Sequence, residues 1–415
     1  MAKARKDIKG RVLHKGETYR KSDDSYMYKY VDPLGRKKYI YAKDLLTLRD
    51  RERILLRDQL DGLDIYVAGK ATVNYVFDRY MSAKTELRNS TKSGYLYTYD
   101  RYVRESFGEK KLADIKYSEV LSFLLKLRNE NELSISTVDT VQHLLKSAFG
   151  LAVRDDIIRN NPCNGVMKEI RKKTGGKCGI RHALSVEEQE AFIDYVESSP
   201  IYDRWYTFFQ VLLGTGMRIG EAISLRWDDI DFDNRKISVN HSLACYWKYD
   251  EDGNGYPVRE IHLPKTEAGI RTIPMLDVVY DALEEQRDYS KEAGGCITSI
   301  DGMDDFAFFN IFNEILTPQT VNIAISGVIE HYNDEEVINA KREHREPIIL
   351  PHFTCHHLRH TFCTRLCEAD VNLKIIQMIM GHKNIHTTLD IYSDVSESKQ
   401  YDALKEFAEK FRNLF

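Results

Sequence analysis

The sequence predicts a multidomain α+β protein: a small N-terminal β-sheet with a helix, a helical domain, and a mainly α domain with a small antiparallel sheet. Three observations lead to this prediction. The chain has 415 residues, which is long for one domain and sufficient for two or three. A segment near the N-terminus alternates with a period of two, and residues 71–160 then follow helical spacing. From residue 184 the pattern is again helical, with one strand-rich interruption over residues 236–274.

The composition is typical of a globular protein. The chain is 42% hydrophobic and 30% charged, and its mean hydropathy is -0.46. Because no stretch approaches the roughly 20 apolar residues of a membrane span, we expect no membrane partner. The basic N-terminus has no apolar run behind it, and the cysteines number seven, an odd count. We therefore expect a cytoplasmic protein with free thiols rather than an exported one.

The formal net charge of -4 argues, taken alone, against a nucleic-acid partner. That average conceals a division, because residues 1–183 carry +14 and residues 184–415 carry -18. The asymmetry indicates modules with different electrostatic roles.

Residues 1–70 form the first predicted domain. Alternating tyrosines mark one strand at residues 26–30, residues 32–35 form a turn, and residues 36–41 form the return strand. A basic sheet with aromatic side chains suits the phosphate backbone of DNA, although the pattern also fits an ordinary solvated sheet face. The candidate DNA-binding residues in this domain are Lys29, Arg36, Lys37 and Lys38.

Residues 71–165 predict a helical domain, whose apolar stripes we interpret as the core of a bundle. A basic linker is predicted over residues 166–183. Its Gly-Gly-Lys run at residues 175–177 lacks the preceding strand, the spacing and the Ser or Thr of a phosphate loop. A linker that wraps a polyanion is the better interpretation. Its candidate DNA-binding residues are Arg171, Lys172, Lys173 and Lys177.

Residues 184–415 form the third predicted domain. Ser185 and Glu188 form a capping box at its first helix. A long hairpin is predicted over residues 242–260. It fits a contact with DNA or with a neighbouring subunit, and it also fits a solvent-exposed hairpin without a binding role. A C-terminal helix over about residues 396–415 carries an apolar stripe, which fits packing within the monomer or docking onto another protomer.

The first of three chemically informative stretches is residues 212–234. Gly214 and Gly216 end one helix, and Arg218 lies at the start of the next. Glu221 follows three residues later on the same helix face, where a carboxylate can orient the guanidinium. The arrangement suits a phosphate, although in isolation a surface ion pair explains it better.

The second stretch is residues 351–370. With Thr354 as its cap, a helix here presents a polar stripe beside an apolar one. The polar stripe consists of His356, Arg359, His360, Cys363 and Cys367. Zinc is the competing interpretation, but the stretch lacks the Glu of a zincin motif and a paired Cys-x-x-Cys, and Arg359 adds a fixed positive charge. We therefore expect no metal.

The third stretch is residues 375–395. An apolar helix face ends at Gly381, a natural C-cap, and His382 follows at once. A short helix then begins near Thr387 and presents Tyr392.

These stretches together resemble the tyrosine recombinase (phage integrase) family. The resemblance rests on Arg218 in its G-M-R-I-G-E context, the H-x-L-R of residues 356–359, the Gly-His at 381–382, and Tyr392. Residues 264–275 resemble the family's strand-turn-strand that bears a catalytic lysine, here Lys265. The N-terminal sheet and helical domain make the chain most similar to the integrases of Gram-positive conjugative transposons.

The resemblance implies that Tyr392 attacks a DNA phosphate and forms a 3′-phosphotyrosyl bond, leaving a 5′-hydroxyl. A phenol with a pKa of about 10 is a poor nucleophile at neutral pH, and the transition state gathers charge on the non-bridging oxygens. Arg218 and Arg359 would supply fixed, charged forks for those oxygens.

The resemblance also implies roles for the remaining positions. His356 would assist proton transfer and bind the phosphate, Lys265 would protonate the leaving 5′-oxygen, and His382 would hydrogen-bond the phosphate. Glu221 and His360 would support these groups from behind.

The implied function is a site-specific DNA recombinase that integrates and excises a mobile element without ATP or a cofactor. Its implied partners are double-stranded DNA, at arm and core sites and at the target, and further copies of itself. The working form would be a tetramer on DNA, with the C-terminal helix docking in trans; the need for an excisionase stays open.

A non-catalytic DNA-binding regulator is one alternative, but it has no use for the catalytic set. A type IB topoisomerase or telomere resolvase shares the chemistry, and the arm-like N-terminal domain favours the integrase.

Overall fold

The computed structural model describes residues 5–31, 37–60, 70–174, 183–250, 254–264 and 267–392. The chain divides into two compact units, Met1–Cys178 and Gly179–Phe415. Each unit contains helices together with small antiparallel sheets. The predicted α+β class is therefore confirmed. None of the helices in the described ranges is long and apolar enough to cross a membrane.

A three-stranded antiparallel sheet opens the first unit. In spatial order it consists of β1 (Glu17–Arg20), β2 (Ser25–Val31) and β3 (Lys37–Ala42), and helix α1 (Leu45–Leu60) follows. The predicted alternation is confirmed, because Tyr26 and Tyr28 are buried in a small core with residues of α1. Tyr39 and Tyr41 share an exposed face of β3.

Among the described residues, five α-helices form the second part of the first unit. They are α2 (Val73–Ala83), α3 (Asn89–Tyr99), α4 (Tyr117–Asn129), α5 (Ile135–Arg154) and α6 (Val166–Thr174). Their apolar stripes meet in one core, where Phe77 and Tyr99 stack with ring centroids 3.4 Å apart. The side chains of Thr72 and Ser134 cap α2 and α5 by accepting from backbone N–H groups of the first turn.

The prediction of a linker from residue 166 onward is wrong for its first half. Residues 166–174 form α6, and Val166, Met167 and Ile170 are buried in the helical core. The prediction followed the basic composition and overlooked the helical spacing of these three apolar side chains. The rest of the predicted linker, residues 175–182, lies outside the described residues.

Helices dominate the second unit. They are α7 (Val186–Ser198), α8 (Tyr206–Thr215), α9 (Ile219–Ile223), α10 (Asp277–Ala293), α11 (Pro318–Glu343), α12 (Cys355–Glu368), α13 (Leu373–Met380) and α14 (386–392). Helix α8 lies at the centre, with Phe208, Phe209 and Leu212 fully buried. The predicted capping box is confirmed, because Ser185 Oγ accepts from the Glu188 backbone N at 3.1 Å.

In the part of the second unit that the structure describes, the strands form two separate sheets rather than one. One sheet has the order β4 (Ile230–Asp231), β5 (Lys236–Val239) and β8 (Arg271–Pro274), and the other pairs β6 (Ser242–Tyr249) with β7 (Gly255–His262). Trp247 and Tyr249 are exposed on this hairpin, whose tip at residues 251–253 lies outside the described residues. The predicted C-terminal helix over residues 396–415 lies outside them too.

Candidate active site

A glycine turn places Arg218 at the start of α9. Helix α8 ends at Thr215, and Gly216 follows with φ +60°, a left-handed conformation that favours glycine. A Cβ atom on Gly216 would lie 2.4 Å from the Phe362 ring, so the turn packs directly against α12. The chain leaves the turn with Arg218 as the N-cap of α9.

Glu221 is a buried carboxylate that two arginines share. It accepts from the Arg218 backbone N at 2.9 Å and Nη1 at 2.8 Å, and from Arg271 Nη2 at 2.8 Å and Nη1 at 3.2 Å. Burial alone would raise the pKa of Glu221, but the hydrogen bonds and charge of Arg271, with the charge of Arg218, lower it to about 2. The carboxylate is therefore ionised at neutral pH.

Arg359 is buried in α12, with 4% of its surface exposed. Its Nη1 donates to the Gly216 carbonyl at 2.6 Å, and its Nη2 donates to the Met380 carbonyl. Burial, together with the neighbouring charge of Arg218, lowers the pKa of Arg359 to about 9. The guanidinium thus stays protonated at neutral pH in surroundings that disfavour its charge, and a bound anion would relieve that cost.

The C-terminal end of α13 brings three arginines together. Its last carbonyls have no partner within the helix and accept from guanidinium groups instead. These bonds join Arg271 Nε to Ile379 O at 2.6 Å, Arg218 Nη2 to Gly381 O at 3.0 Å, and Arg359 Nη2 to Met380 O. The negative end of the helix dipole stabilises such charges. Gly381, with φ +62°, ends the helix as its predicted C-cap.

Positive charge exceeds negative charge in this arginine cluster (Arg218, Arg271 and Arg359). In the described part of the chain, the ion pairs of the cluster involve a single carboxylate, that of Glu221. The Arg218 side chain is 40% exposed, whereas that of Arg271 is 5% exposed. The cluster therefore offers an anion an accessible donor at Arg218 and an excess of charge behind it.

His382 lies directly after α13 and is buried. Its Nδ1 is 3.0 Å from Thr388 Oγ1, and its backbone carbonyl accepts from Gln377 Nε2 at 3.0 Å. Burial, followed by the charges of Arg359 and Arg218, lowers the pKa of His382 to about 4. The ring is therefore neutral at neutral pH, and Thr388 fixes its orientation.

Tyr392 ends the described part of α14. It is half-buried and packs against an apolar cluster that α12, α13 and α14 share. The cluster consists of Phe362, Cys363, Cys367, Ile376, Met380 and Ile391. The helix that carries the phenol is thus held against the two helices that carry Arg359 and the arginine-binding carbonyls.

Two further predicted site residues, His356 and His360, lie on α12, and, after burial and the arginine charges, the charge of His356 contributes to the lowered pKa of His382. His356 lies in the first turn of α12 and is exposed, whereas His360 is half-buried with its Nδ1 3.5 Å from Thr364 Oγ1. Thr354 is the N-cap of α12, as predicted, and its backbone N donates to His357 Nδ1. Lys265 lies outside the described residues.

The predicted DNA-binding lysines and arginines lie on surfaces of the first unit where they are described. Lys29 and Lys37 are exposed, and Lys38 is half-buried. Arg171 and Lys172 are exposed on α6, where Arg171 pairs with Asp139 at 3.0 Å. Arg36, Lys177 and the side chain of Lys173 lie outside the described residues.

Sequence reasoning missed Arg271, Thr388 and Gln377. Arg271 lies on a short strand within residues 264–275, where the resemblance singled out Lys265 alone, and its partners lie 50 and 108 residues away in the chain. Thr388 and Gln377 contact His382 through ordinary polar groups. Only the folded chain brings these side chains to the site.

No group of three or more His, Cys, Asp or Glu side chains in the described ranges is arranged to hold a metal ion. The site instead consists of clustered guanidiniums, a neutral buried imidazole and a tyrosine on the helix packed against them. Such an arrangement is suited to a protein that binds an anionic group such as a phosphate.

Comparisons with known proteins identify the kind of enzyme. The chain matches the phage integrase family over residues 182–399, and the DNA binding domain of Tn916 integrase over residues 1–64. It is 30% identical over 406 residues to the transposases from Tn916 of Enterococcus faecalis and Tn1545 of Streptococcus pneumoniae, covering 95% of this chain and 94% of each relative. The solved structure of Tn1549 transposon integrase in complex with transposon right end DNA is 28% identical. It gives a TM-score of 0.68 and covers 80% of this chain and 99% of that one.

The chain therefore belongs to the phage integrase family, and within it is a tyrosine recombinase of the conjugative transposon type. Its activity is DNA recombination, through which a mobile element is integrated and excised.

Proposed function

We propose that Tyr392 is the nucleophile that cleaves one DNA strand and becomes joined to it by a 3′-phosphotyrosyl bond. The tyrosine oxygen forms a bond to phosphorus as the bond to the 5′-oxygen breaks, and the phenol loses the proton that the leaving oxygen gains. The single observation that supports this most strongly is the convergence of Arg218, Arg359 and His382 at the end of α13, against which the helix of Tyr392 packs.

Arg218 and Arg359 bind the non-bridging oxygens of the attacked phosphate. Both guanidiniums are already placed by backbone carbonyls, so little reorganisation precedes the reaction. The lowered pKa of Arg359 reflects a charge that burial disfavours. Negative charge that grows on the phosphate in the transition state compensates it.

Hydrogen bonding to the phosphate and proton transfer are the roles of His356, His382 and Lys265. His382 is neutral. We assign its proton to Nε2, so that Nδ1 accepts from Thr388 Oγ1 at 3.0 Å and Nε2–H donates to a phosphate oxygen. His356 assists transfer of the phenol proton, and its exposed place on α12 leaves it accessible to DNA. Lys265 protonates the leaving 5′-oxygen. Glu221 and His360 support the reacting groups.

The covalent intermediate conserves the energy of the phosphodiester bond. Attack by a 5′-hydroxyl from another strand reverses the first step and rejoins the DNA in a new connection, so the cycle requires no ATP and no cofactor. Arginine, lysine and histidine supply the charge stabilisation that metal ions provide in many phosphoryl-transfer enzymes.

The first unit holds the DNA. Residues 1–70 bind arm-type sites through Lys29, Arg36, Lys37 and Lys38, and residues 71–165 clamp core DNA. Arg171, Lys172, Lys173 and Lys177 extend this grip from α6 into the basic segment that follows. The match of residues 1–64 to a DNA binding domain and the exposed aromatic face at Tyr39 and Tyr41 support this division.

The active assembly is a tetramer in the cytoplasm at the nucleoid, because two duplexes exchange four strands and each exchange uses one tyrosine. The apolar stripe of residues 396–415 docks onto a neighbouring protomer. An excisionase is a further partner that this assembly could accept during excision.

The test uses a nicked suicide duplex that carries an end of the element encoding the chain, so that cleavage releases a short fragment and traps the adduct. The wild-type protein is expected to give a band of adduct on a denaturing gel. Tyr392→Phe is expected to bind the duplex with unchanged affinity and give none. Tyr289→Phe, on an exposed surface of α10, is the matched control and keeps the adduct; an adduct from Tyr392→Phe contradicts the proposal.

A further inference from the structure

With partners in the described ranges, Arg271 makes four hydrogen bonds that join separate parts of the site. On β8, it donates from Nη2 and Nη1 to both carboxylate oxygens of Glu221, at 2.8 and 3.2 Å. Its Nε donates to the Ile379 carbonyl at 2.6 Å, and Nη1 also donates to the Gly269 carbonyl at 3.3 Å. One planar fork thus connects α9, the end of α13 and the turn before β8.

The Arg271 side chain is 5% exposed, so its donors face protein rather than solvent. By contrast, the Arg218 side chain is 40% exposed and shares the same carboxylate. The difference in exposure separates a group that a substrate can reach from a group that acts only through its neighbours.

We infer that Arg271 is a positioning residue for strand cleavage, which fixes Glu221 behind Arg218 and holds the backbone that leads to His382. This inference rests on the proposed function. Without the bidentate bond, the Glu221 carboxylate keeps only its bonds to the backbone N and Nη1 of Arg218, and the position of the Arg218 guanidinium is fixed less firmly. Without the bond to Ile379, the end of α13 and the following His382 lose one of the two links to α9, and the bond from Arg218 Nη2 to the Gly381 carbonyl alone remains. Both effects displace groups that contact the phosphate.

Substitution by lysine separates charge from geometry. A lysine ammonium keeps the positive charge but cannot donate in a planar fork to Glu221 and to a carbonyl at the same time. Because misplacement of catalytic groups by about 1 Å can cost about 100-fold in rate, we expect Arg271→Lys to cleave about 10- to 100-fold more slowly.

The experiment measures single-turnover cleavage of the suicide duplex, equilibrium affinity for the same duplex, and the thermal midpoint. The matched control is Arg345→Lys, since Arg345 makes a similar bidentate pair with the buried Glu336 in the same unit, at 2.9 Å from Nη2 to Oε2. Arg271→Lys should cleave slowly with unchanged affinity, whereas Arg345→Lys should lose thermal stability and cleave at the wild-type rate.

Wild-type cleavage by Arg271→Lys, or equal slowing by Arg345→Lys, overturns the inference. Arg271→Gln provides a second variant, and it too must cleave slowly while folded. If neither Arg271 variant folds while Arg345→Lys does, the residue belongs to stability alone and the inference fails. Failure of the proposed function looks different, because the wild-type protein itself then forms no adduct.

Discussion

Glu221→Gln is the substitution that most directly perturbs the charge balance of the site. The amide is almost the same size as the carboxylate, so packing is preserved while the charge is lost. Three guanidiniums then lie close together with no carboxylate among their described ion pairs. Arg271 is affected most, because its side chain is 5% exposed and cannot turn to water.

The pKa of Glu221 and the usual cost of breaking a buried ion pair each give the loss of unfolding free energy expected for Glu221→Gln. The pKa of Glu221 is held at about 2 against an ordinary value of 4.5, which corresponds to about 3 kcal/mol of stability at neutral pH. Breaking a buried ion pair from one side costs about 3–5 kcal/mol. Because the pKa in the folded state is depressed, this stabilisation is present above pH 4.5 and is lost as the pH falls toward 2.

Urea unfolding followed by tryptophan fluorescence measures this loss selectively. All three tryptophans, Trp205, Trp227 and Trp247, lie in the second unit. The control is Glu336→Gln, which removes a buried carboxylate whose partner Arg345 has a side chain 40% exposed and is solvated. We expect a loss of about 3–5 kcal/mol for Glu221→Gln and about 1–3 kcal/mol for the control. An equal or smaller loss at Glu221 refutes the reasoning about uncompensated charge.

Three further predictions concern other parts of the molecule. Gly216→Ala should lower the free energy of unfolding by about 2–4 kcal/mol through left-handed strain and collision with Phe362; Gly94→Ala, where a Cβ meets nothing within 4 Å, should not. Stability should fall as the pH drops from 6.5 toward 4, because the depressed pKa of buried His382 means that the unfolded chain binds the proton first, an effect of about 3 kcal/mol. The measurement is the thermal unfolding midpoint as a function of pH. His382→Gln should flatten this pH dependence, whereas substitution of the exposed His352 by Gln should not; identical pH profiles for the two variants would contradict the prediction. Deletion of residues 1–70, which carry a net +7, should lower DNA affinity and flatten the plot of log K against log[salt], and an unchanged slope would exclude an arm-binding role.

The sequence predicted local features well because their signals are local. Gly216 and Gly381 mark helix ends through the left-handed backbone, and Thr354 marks a helix start. The order of the motifs also anticipated that Arg218 and Arg359 would meet, since the family resemblance ties them to one phosphate.

Other contacts between distant segments escaped prediction. Arg271 shares Glu221 with Arg218, yet the pattern of its own segment, residues 264–275, indicates neither this contact nor the burial of the side chain. The basic charge of residues 166–174 concealed a helix whose apolar side chains, such as Ile170, pack into the bundle. In both cases the deciding interaction is tertiary, and periodicity or composition within one segment does not contain it.

The measurement that tests the central claim most directly is the location of the DNA–protein bond. Trypsin cleaves after Lys383 and Lys399, so residues 384–399 form a peptide in which Tyr392 is the single tyrosine. After reaction with the suicide duplex and nuclease trimming, mass spectrometry should find the nucleotide on that peptide, attached at Tyr392 through a 3′-phosphate. Attachment to another peptide, or a 5′-phosphate linkage at this one, would contradict the account.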